Sequence, residues 1–198
     1  MVRQTTTIGR KAGSSLLHSV RTAKAIGREL NTYITINFWE LGGDENSIFW
    51  DFATLRTDWF LRWSRYEPKR SGKKNGAPTW TYVHEAPNGL AHTHWLVHLH
   101  PENIWRFKIA LEKQLLKQFG LSTLPSGAVH IENVYNGEGL KLYLAKGIQP
   151  MYGDLWKIRH EDMGMIAHRR ADTSRNIGPS IRAPLIAQYK HARRNRAA

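Results

Sequence analysis

Cysteine is absent from this chain of 198 residues. Its absence excludes disulfide bonds, thiolate-ligated zinc and a thiol nucleophile. Long apolar runs are also missing: no segment approaches the length needed to cross a membrane, and no signal-peptide core is visible. Any metal ligand or nucleophile must therefore come from other side chains.

Acidic residues are few. Asp and Glu number 16 against 29 Lys and Arg, which gives a formal net charge of +13. This balance favours a polyanionic partner, nucleic acid first and an anionic membrane surface second. Residues 1–28 contain no acid, and residues 165–198 contain only Asp172. A transit peptide would share the composition of the first segment, but we favour a basic arm that contacts DNA.

Histidines recur at every second or fourth position in the segment from Gly89 to His100. Side chains of a β-strand point to opposite faces in turn. One face is apolar enough for a core and carries Thr93, Trp95, Val97 and Leu99. The other face carries four imidazoles, those of His92, His94, His98 and His100. A core rarely accepts four imidazoles, and a solvated face more often carries Lys, Thr or Glu, so this face indicates a functional site.

Only two of these histidines can bind one metal ion. At about 3.4 Å per residue, His92 and His100 lie roughly 27 Å apart, whereas residues two positions apart are separated by about 7 Å. We favour His92 and His94, because apolar residues keep that pair inside the strand. Pro101 ends the strand directly after the rival pair, His98 and His100. A structural zinc site is excluded, because it needs four ligands around one ion.

Apolar periodicity predicts the remaining elements. Predicted helices cover 14–30, 46–66, 102–119 and 140–146, and predicted strands cover 33–38, 79–84, 89–100 and 128–134. From residue 33 the order β-α-β-β-α-β-α predicts an α+β fold with helices packed on an antiparallel sheet. A turn at 87–89 predicts a hairpin that lays His84 or Glu85 beside the histidine pair.

The last predicted helix carries Tyr143 and Lys146, which lie three residues apart and therefore on one helix face. A phenol with a pKa of about 10 is a poor nucleophile at neutral pH. A nearby ammonium group or metal ion would favour its phenolate.

Together these motifs resemble those of the HUH endonucleases, and among them the single-tyrosine rolling-circle replication initiators, or Rep proteins. The resemblance covers roughly residues 33–148. It rests on a strand of the form hydrophobic-Thr-hydrophobic-Asn at 34–37, on His92-Thr93-His94 followed by Trp-Leu-Val, and on Tyr143-Leu-Ala-Lys146. It implies an RRM- or ferredoxin-like antiparallel sheet of about five strands with flanking helices.

Two positions depart from the pattern of that family. The residue between the two histidines is usually bulky and apolar, but here it is Thr93. The third metal ligand of the family lies on the preceding hairpin strand, about eight residues before the first histidine. That place holds His84, with Glu85 one residue on, and the two point to opposite faces. We favour Glu85 and keep His84 as the alternative.

The resemblance implies a chemistry for these residues. Glu85, His92 and His94 would hold Mn²⁺ or Mg²⁺, with imidazole favouring Mn²⁺. Tyr143 would attack the scissile phosphate of single-stranded DNA and form a 5′-phosphotyrosine link, while Lys146 would position the phosphate or stabilise charge. The reverse attack rejoins the strand, so no small-molecule cofactor is expected. Tyr135 is a weaker candidate for a second nucleophile.

We expect three regions: a basic arm and helix at 1–32, a nuclease domain at 33–164 and a basic tail at 165–198 that is disordered without DNA. Expected partners are single-stranded or hairpin origin DNA, and a host helicase and polymerase, because the sequence has no P-loop. The expected location is the bacterial cytoplasm, on plasmid or nucleoid DNA. A viral protein would instead be expected in a compartment of the host cell. No membrane is expected as a partner. The expected DNA contacts are Asn37, Lys69, Arg70, Lys73, Lys74, Arg169, Arg170 and Arg175.

Two other functions fit parts of the same pattern. A relaxase or single-strand transposase would use the same site on a different DNA. A non-catalytic RRM-like module would bind RNA or single strands through aromatic residues exposed on its sheet. Such a module would bind DNA but never cut it.

Overall fold

The computed structural model describes residues 2–187, apart from the side chains at positions 68, 70 and 71. The strands are β1 Gln4–Thr5, β2 Thr32–Asn37, β3 Trp80–Glu85, β4 His92–Val97, β5 Val129–Asn133, β6 Ile166–Ala167 and β7 Ala171–Thr173. The helices are α1 Arg10–Ala25, α2 Ile48–Ala53, α3 Leu61–Ser71, α4 Ile104–Phe119, α5 Gly137–Leu144 and α6 Pro150–Trp156. A π-helical segment, Thr54–Phe60, joins α2 to α3. Residues 179–187 are also helical.

Five strands form one antiparallel sheet in the order β5-β2-β4-β3-β7, which confirms the predicted α+β class. The segment from β2 to β5 follows the β-α-β-β-α-β order of ferredoxin-like domains. Strand β4 lies at the centre of the sheet, between β2 and β3. Side chains at the start of β4 are therefore held by neighbours on both sides.

The sheet is packed on both faces because side chains of β4 alternate. Trp95 and Val97 face a core that includes Phe52 and Phe107 from the helices on that side. Leu96 faces the opposite way, into a second core shared with α1 and α5. The histidine-bearing face is thus the face beneath α1 and α5, as alternation along β4 requires.

Helix ends follow local sequence. Helix α4 ends at Gly120, which adopts a left-handed conformation (φ 65°) that glycine reaches without strain, as the sequence predicts. Helix α1 begins four residues before the predicted start and ends earlier, ahead of Gly27 at φ 69°. The helix predicted at 46–66 runs on to residue 71, with the π-helical turn in its middle.

The largest departure from expectation concerns the two termini. Within the expected tail, β6 pairs with β1 and β7 pairs with β3 at the edge of the main sheet. Residues 165–173 are therefore built into the fold, and the first residues are paired as well. Strands of two or three residues carry no detectable periodicity, so the sequence gives no sign of them. Residues 174–187 follow as a 3₁₀ turn and a helix, and the expected tail from residue 188 on lies outside the described residues.

No helix within the described part of the chain is both long enough and apolar enough to cross a bilayer.

Candidate metal centre and tyrosine site

The hairpin of β3 and β4 aligns three side chains on one face of the sheet. Its register pairs Glu85 with His92, and His94 follows two residues later on the same face. The turn between the strands is a short 3₁₀ segment in which Asn88 and Gly89 take positive φ values of 54° and 78°. This turn sets the register, so it selects Glu85 over His84 for this face.

The three side chains converge on one point. Glu85 Oε2 lies 3.3 Å from His92 Nε2 and 3.5 Å from His94 Nε2. One ligand atom from each residue falls within 4.8 Å of the other two. Glu85 is 1% exposed and His94 5% exposed. The group could hold a metal ion.

Both imidazoles are oriented by contacts at their other ring nitrogen. His94 Nδ1 lies 2.6 Å from the hydroxyl oxygen of Tyr33 and 3.2 Å from that of Thr35. His92 Nδ1 lies 2.8 Å from the carbonyl oxygen of Leu90. These contacts direct each Nε2 toward Glu85, which is the usual arrangement around histidines that bind metal.

Unpaired buried atoms support the same interpretation. Glu85 Oε1 is buried with no hydrogen-bond partner among the described residues. Glu85 Oε2 and His94 Nε2 are buried and make only long contacts of 3.3–3.5 Å with each other, His92 and Lys146. Buried polar atoms are usually hydrogen-bonded, because leaving one unpaired costs roughly 1–3 kcal/mol. A divalent cation at the point of convergence would satisfy all three atoms, so the residues fit such an ion.

The electrostatics favour the protonation states of Glu85 and His94 that a metal needs. Burial alone would raise the pKa of Glu85, but contacts with His92, His94 and Lys146 outweigh it and hold that pKa well below its usual range. Burial lowers the pKa of His94, against the opposing effect of Glu85. A charged carboxylate and a neutral imidazole are the forms that coordinate cations.

Tyr143 lies beside this group at the end of α5. The helix is capped by Asn136, whose side chain accepts a hydrogen bond from the backbone N–H of Gly139 at 2.9 Å. The Tyr143 ring meets the His94 ring edge-on, with centroids 5.6 Å apart. It is 47% exposed, so one side of the phenol is open to solvent beside the candidate metal ligands.

Lys146 links the tyrosine to the carboxylate. Its Nζ lies 4.1 Å from the Tyr143 ring centroid and 3.3 Å from Glu85 Oε2. Burial would lower the pKa of Lys146, but Glu85 and Tyr143 raise it overall, so the ammonium is retained. A second carboxylate, Glu161, lies 3.8 Å from the same nitrogen and has no motif that identifies it in the sequence.

The rival histidines are not part of the group. Strand β4 ends at Val97, so both histidines lie beyond the strand that carries His92 and His94. His98 Nδ1 bonds with the Glu29 carbonyl at 2.8 Å, and His100 Nδ1 accepts from the Glu102 N–H at 3.3 Å. His98 therefore contacts the backbone that follows α1, and His100 contacts the backbone of the turn that follows it.

The buried side chains of His84 and Thr93 are hydrogen-bonding partners. They are opposite neighbours on β3 and β4, both fully buried, and His84 Nδ1 lies 2.7 Å from the Thr93 hydroxyl oxygen. Burial keeps the pKa of His84 well below its usual value, so the ring is neutral. The unusual threonine between His92 and His94 is therefore the polar partner of a buried histidine, since an apolar residue there would leave His84 Nδ1 without that partner.

The residues expected to contact DNA lie in different environments. Asn37 is opposite His92 on β2, and its side-chain amide donates to the Gly127 carbonyl at 2.6 Å. Lys69 lies over the Tyr66 ring, with Nζ 5.6 Å from the centroid. Four other members are exposed: Lys73, Lys74, Arg169 and Arg175. Lys73 forms an ion pair with Glu102 at 3.2 Å, and Arg169 forms one with Asp172. The Arg70 side chain lies outside the described set.

Arg170 differs from the expectation. It is 3% exposed, and its guanidinium donates to the carbonyl oxygens of Thr5, His84, Met163 and Gly164. Burial lowers its pKa to about 10. It joins the N-terminal arm to β3 next to Glu85, so it stabilises the site from inside and offers no surface contact to DNA.

Tyr33 and Thr35 are the supporting residues that sequence reasoning missed. Both lie on β2, whose register places Thr35 opposite His94. The strand was predicted, but its pairing with the histidine strand follows only from the sheet order. Tyr135, the weaker candidate nucleophile, is 93% exposed.

Comparison of the sequence with models of known protein families and with curated proteins finds no match in either.

Proposed function

We propose that this chain is a metal-dependent endonuclease and strand transferase of the HUH type, which nicks and rejoins single-stranded DNA through a 5′-phosphotyrosine link. The proposed role is initiation of rolling-circle replication of a plasmid or virus, with a host helicase and polymerase as partners. One observation carries the proposal. A solvent-open tyrosine lies against one histidine of a buried Glu-His-His group, and Lys146 contacts both the tyrosine ring and the carboxylate.

Glu85, His92 and His94 would hold Mn²⁺ or Mg²⁺, and the mixed imidazole and carboxylate ligands favour Mn²⁺. A cation bound there supplies Lewis-acid polarisation of the scissile phosphate and offsets the charge that develops on its oxygens. Three protein ligands would leave coordination positions open to that phosphate, which distinguishes a reactive site from a closed structural one.

The protein residues perform the remaining steps. The Tyr143 oxygen forms a bond to phosphorus as the bond from phosphorus to the 3′ oxygen breaks. The phenol proton passes to solvent, and the departing 3′ oxygen takes a proton from water to become a hydroxyl. Lys146 stabilises negative charge on the phenol oxygen and on the phosphate. Attack by a 3′ hydroxyl on the phosphotyrosine reverses the step and releases Tyr143.

The charge of the chain supports a polyanionic substrate, since the net charge is +13. The sheet itself argues against the RRM-like alternative. That mode of binding stacks bases on aromatic residues exposed on the sheet. The Tyr and Trp residues of the central strands, Tyr33, Trp80, Tyr82 and Trp95, are instead 7%, 8%, 1% and 0% exposed. A relaxase or a single-strand transposase would use the same chemistry, and the DNA that is cut distinguishes them.

The test is capture of a covalent intermediate. The protein is incubated with a pool of randomised single-stranded and hairpin DNA and Mn²⁺, and DNA that stays attached in sodium dodecyl sulfate is sequenced. We expect attached DNA with a shared sequence or hairpin, lost with EDTA and with Tyr143→Phe.

Tyr135→Phe is the matched control, because it removes a phenol eight positions away and should leave attachment intact. Attachment by Tyr143→Phe at the wild-type level would remove the tyrosine assignment. Absence of attached DNA with Mn²⁺ and with Mg²⁺, despite bound DNA, would refute the nuclease.

A further inference from the structure

We propose that a basic groove next to the segment that carries Lys146 binds single-stranded DNA. Trp50, which contacts the lining residues Phe49 and His168, provides the surface on which a base stacks, an inference that rests on the function proposed above. The groove, here called the N-terminal groove, has a volume of about 840 Å³. It lies between residues 3–15 on one side and residues 168–172 on the other, with Phe49 and Gln149 at its edges.

The walls of the groove are positively charged. Arg3, Arg10 and Lys11 line it and are exposed. Arg169 lines the opposite wall, where it pairs with Asp172, the only carboxylate among the described lining residues. Three cations therefore face solvent without a carboxylate in the groove to balance them, which is complementary to a phosphate backbone.

An aromatic cluster stands at one end of this groove. The ring of His168 stacks on Phe49, with centroids 5.0 Å apart, and meets Trp50 edge-on at 5.1 Å. The indole N–H of Trp50 donates to His168 Nε2 at 3.1 Å. Trp50 is nevertheless 59% exposed, so its ring is fixed in orientation while most of its surface stays open. A fixed, exposed aromatic ring at the end of a basic groove is the arrangement on which unpaired bases stack.

His168 has an uncommon backbone conformation and connects this cluster to the N-terminal residues. His168 has a φ of 68°, a left-handed conformation that is uncommon for residues other than glycine. Its N–H donates to the Arg3 carbonyl at 2.7 Å, and its own carbonyl accepts from the Thr5 hydroxyl at 3.1 Å. The same residue thus joins the aromatic cluster to the basic arm, so the two halves of the groove form one surface.

One wall of the groove is hydrogen-bonded to the segment that follows Lys146. Ile8, a lining residue, donates its N–H to the Gly147 carbonyl at 2.8 Å and accepts from the Gln149 N–H at 3.1 Å. Gly147 directly follows Lys146 in the chain. The groove therefore borders the segment that carries the proposed catalytic lysine.

Binding can be measured without cleavage. The full chain is titrated into a fluorescein-labelled oligothymidylate of about 12 nucleotides in EDTA, and anisotropy is recorded. We expect Trp50→Ala to weaken binding by roughly 5- to 150-fold, which corresponds to loss of one stacked base. Trp50→Phe should retain most of the affinity. Trp105→Ala is the matched control, since Trp105 is 55% exposed on α4 and lies outside the groove.

The charges are tested by salt dependence. Arg3→Gln combined with Lys11→Gln should reduce the slope of log Kobs against log salt by about 1.4, because each contact with a single strand contributes about 0.7. Lys113→Gln combined with Lys117→Gln removes the same charge from the surface of α4 and should leave the slope unchanged. Thermal unfolding verifies that each variant folds, which exposed positions should permit.

An affinity of Trp50→Ala for oligothymidylate within twofold of wild type would overturn the proposal that the groove binds DNA. An unchanged salt slope in the Arg3 and Lys11 variant would do the same. So would equal losses in the control variants. Covalent attachment of DNA together with either result would leave the nuclease intact and refute the groove alone. Loss of oligothymidylate binding in the groove variants, with no DNA attached under any metal, would instead support the groove and refute the nuclease.

Discussion

Tyr33→Phe provides the sharpest test of the metal centre, because it changes one atom. The substitution removes the hydroxyl that lies 2.6 Å from His94 Nδ1 and keeps the ring, which is 7% exposed and stacks on the imidazole with centroids 5.6 Å apart. Packing is therefore retained. When Nε2 of His94 binds a cation, Nδ1 carries the proton and donates to Tyr33, so the variant loses this orienting bond.

The size of the effect follows from the geometry. Loss of a supporting partner of a metal-binding histidine typically lowers metal affinity by 10- to 100-fold. Thr35 remains 3.2 Å from the same nitrogen and can accept the bond in part. We therefore expect about a tenfold weaker Kd for Mn²⁺ in Tyr33→Phe. The further change Thr35→Val should bring the loss toward a hundredfold.

The assay is calorimetric titration of the protein with Mn²⁺ alone, which needs no DNA substrate. Tyr82→Phe is the control, because Tyr82 is also buried but lies on β3 in the core on the opposite face of the sheet. Mn²⁺ affinity within twofold of wild type in both the single and the double variant would falsify the view that Tyr33 and Thr35 orient a metal ligand. Absence of Mn²⁺ binding in the wild type would refute the site itself.

Three further outcomes are expected. His92→Ala should lose metal-dependent DNA cleavage while His100→Ala keeps most of it, as measured by product formation with Mn²⁺; the reverse result would move the site to the far end of the strand. Lys146→Gln should raise Mn²⁺ affinity severalfold, because an ammonium 3.3 Å from Glu85 repels a bound cation, yet slow cleavage. A parallel loss of Mn²⁺ affinity and of cleavage would show that Lys146 only supports the fold. Thr93→Val should lower the free energy of unfolding by about 1–3 kcal/mol in urea titration, because buried His84 loses its partner; unchanged stability would refute that pairing.

The part of the fold that sequence predicts is the part with strong periodicity. Alternation along 92–97 predicts β4 and separates its apolar face from its histidine face. In the structure the two faces pack against different cores. The stop of α4 at Gly120 follows from glycine's tolerance of positive φ. These features depend on residues near one another in the chain.

The parts that escape prediction depend on register or on distant partners. Glu85 and His84 are adjacent, and a one-residue shift of the hairpin exchanges them, so only the observed turn decides between them. Thr93 reads as a departure from a family pattern until His84 is seen opposite it. From the sequence Arg170 is predicted to be a surface cation, because the residues around it in the chain do not indicate that its guanidinium will bind four backbone carbonyl oxygens.

Arg170 also has a consequence for the order in which the molecule forms. Its bond to the Thr5 carbonyl joins residues separated by 165 positions, and the edge strand β7 follows directly after it. During synthesis on the ribosome, the backbone beside Glu85 thus lacks these contacts until nearly the whole domain has emerged from the exit tunnel. Contacts of such long sequence separation make folding slow. A nascent chain would consequently expose its tyrosine and histidines for some time before it could hold them in a working arrangement.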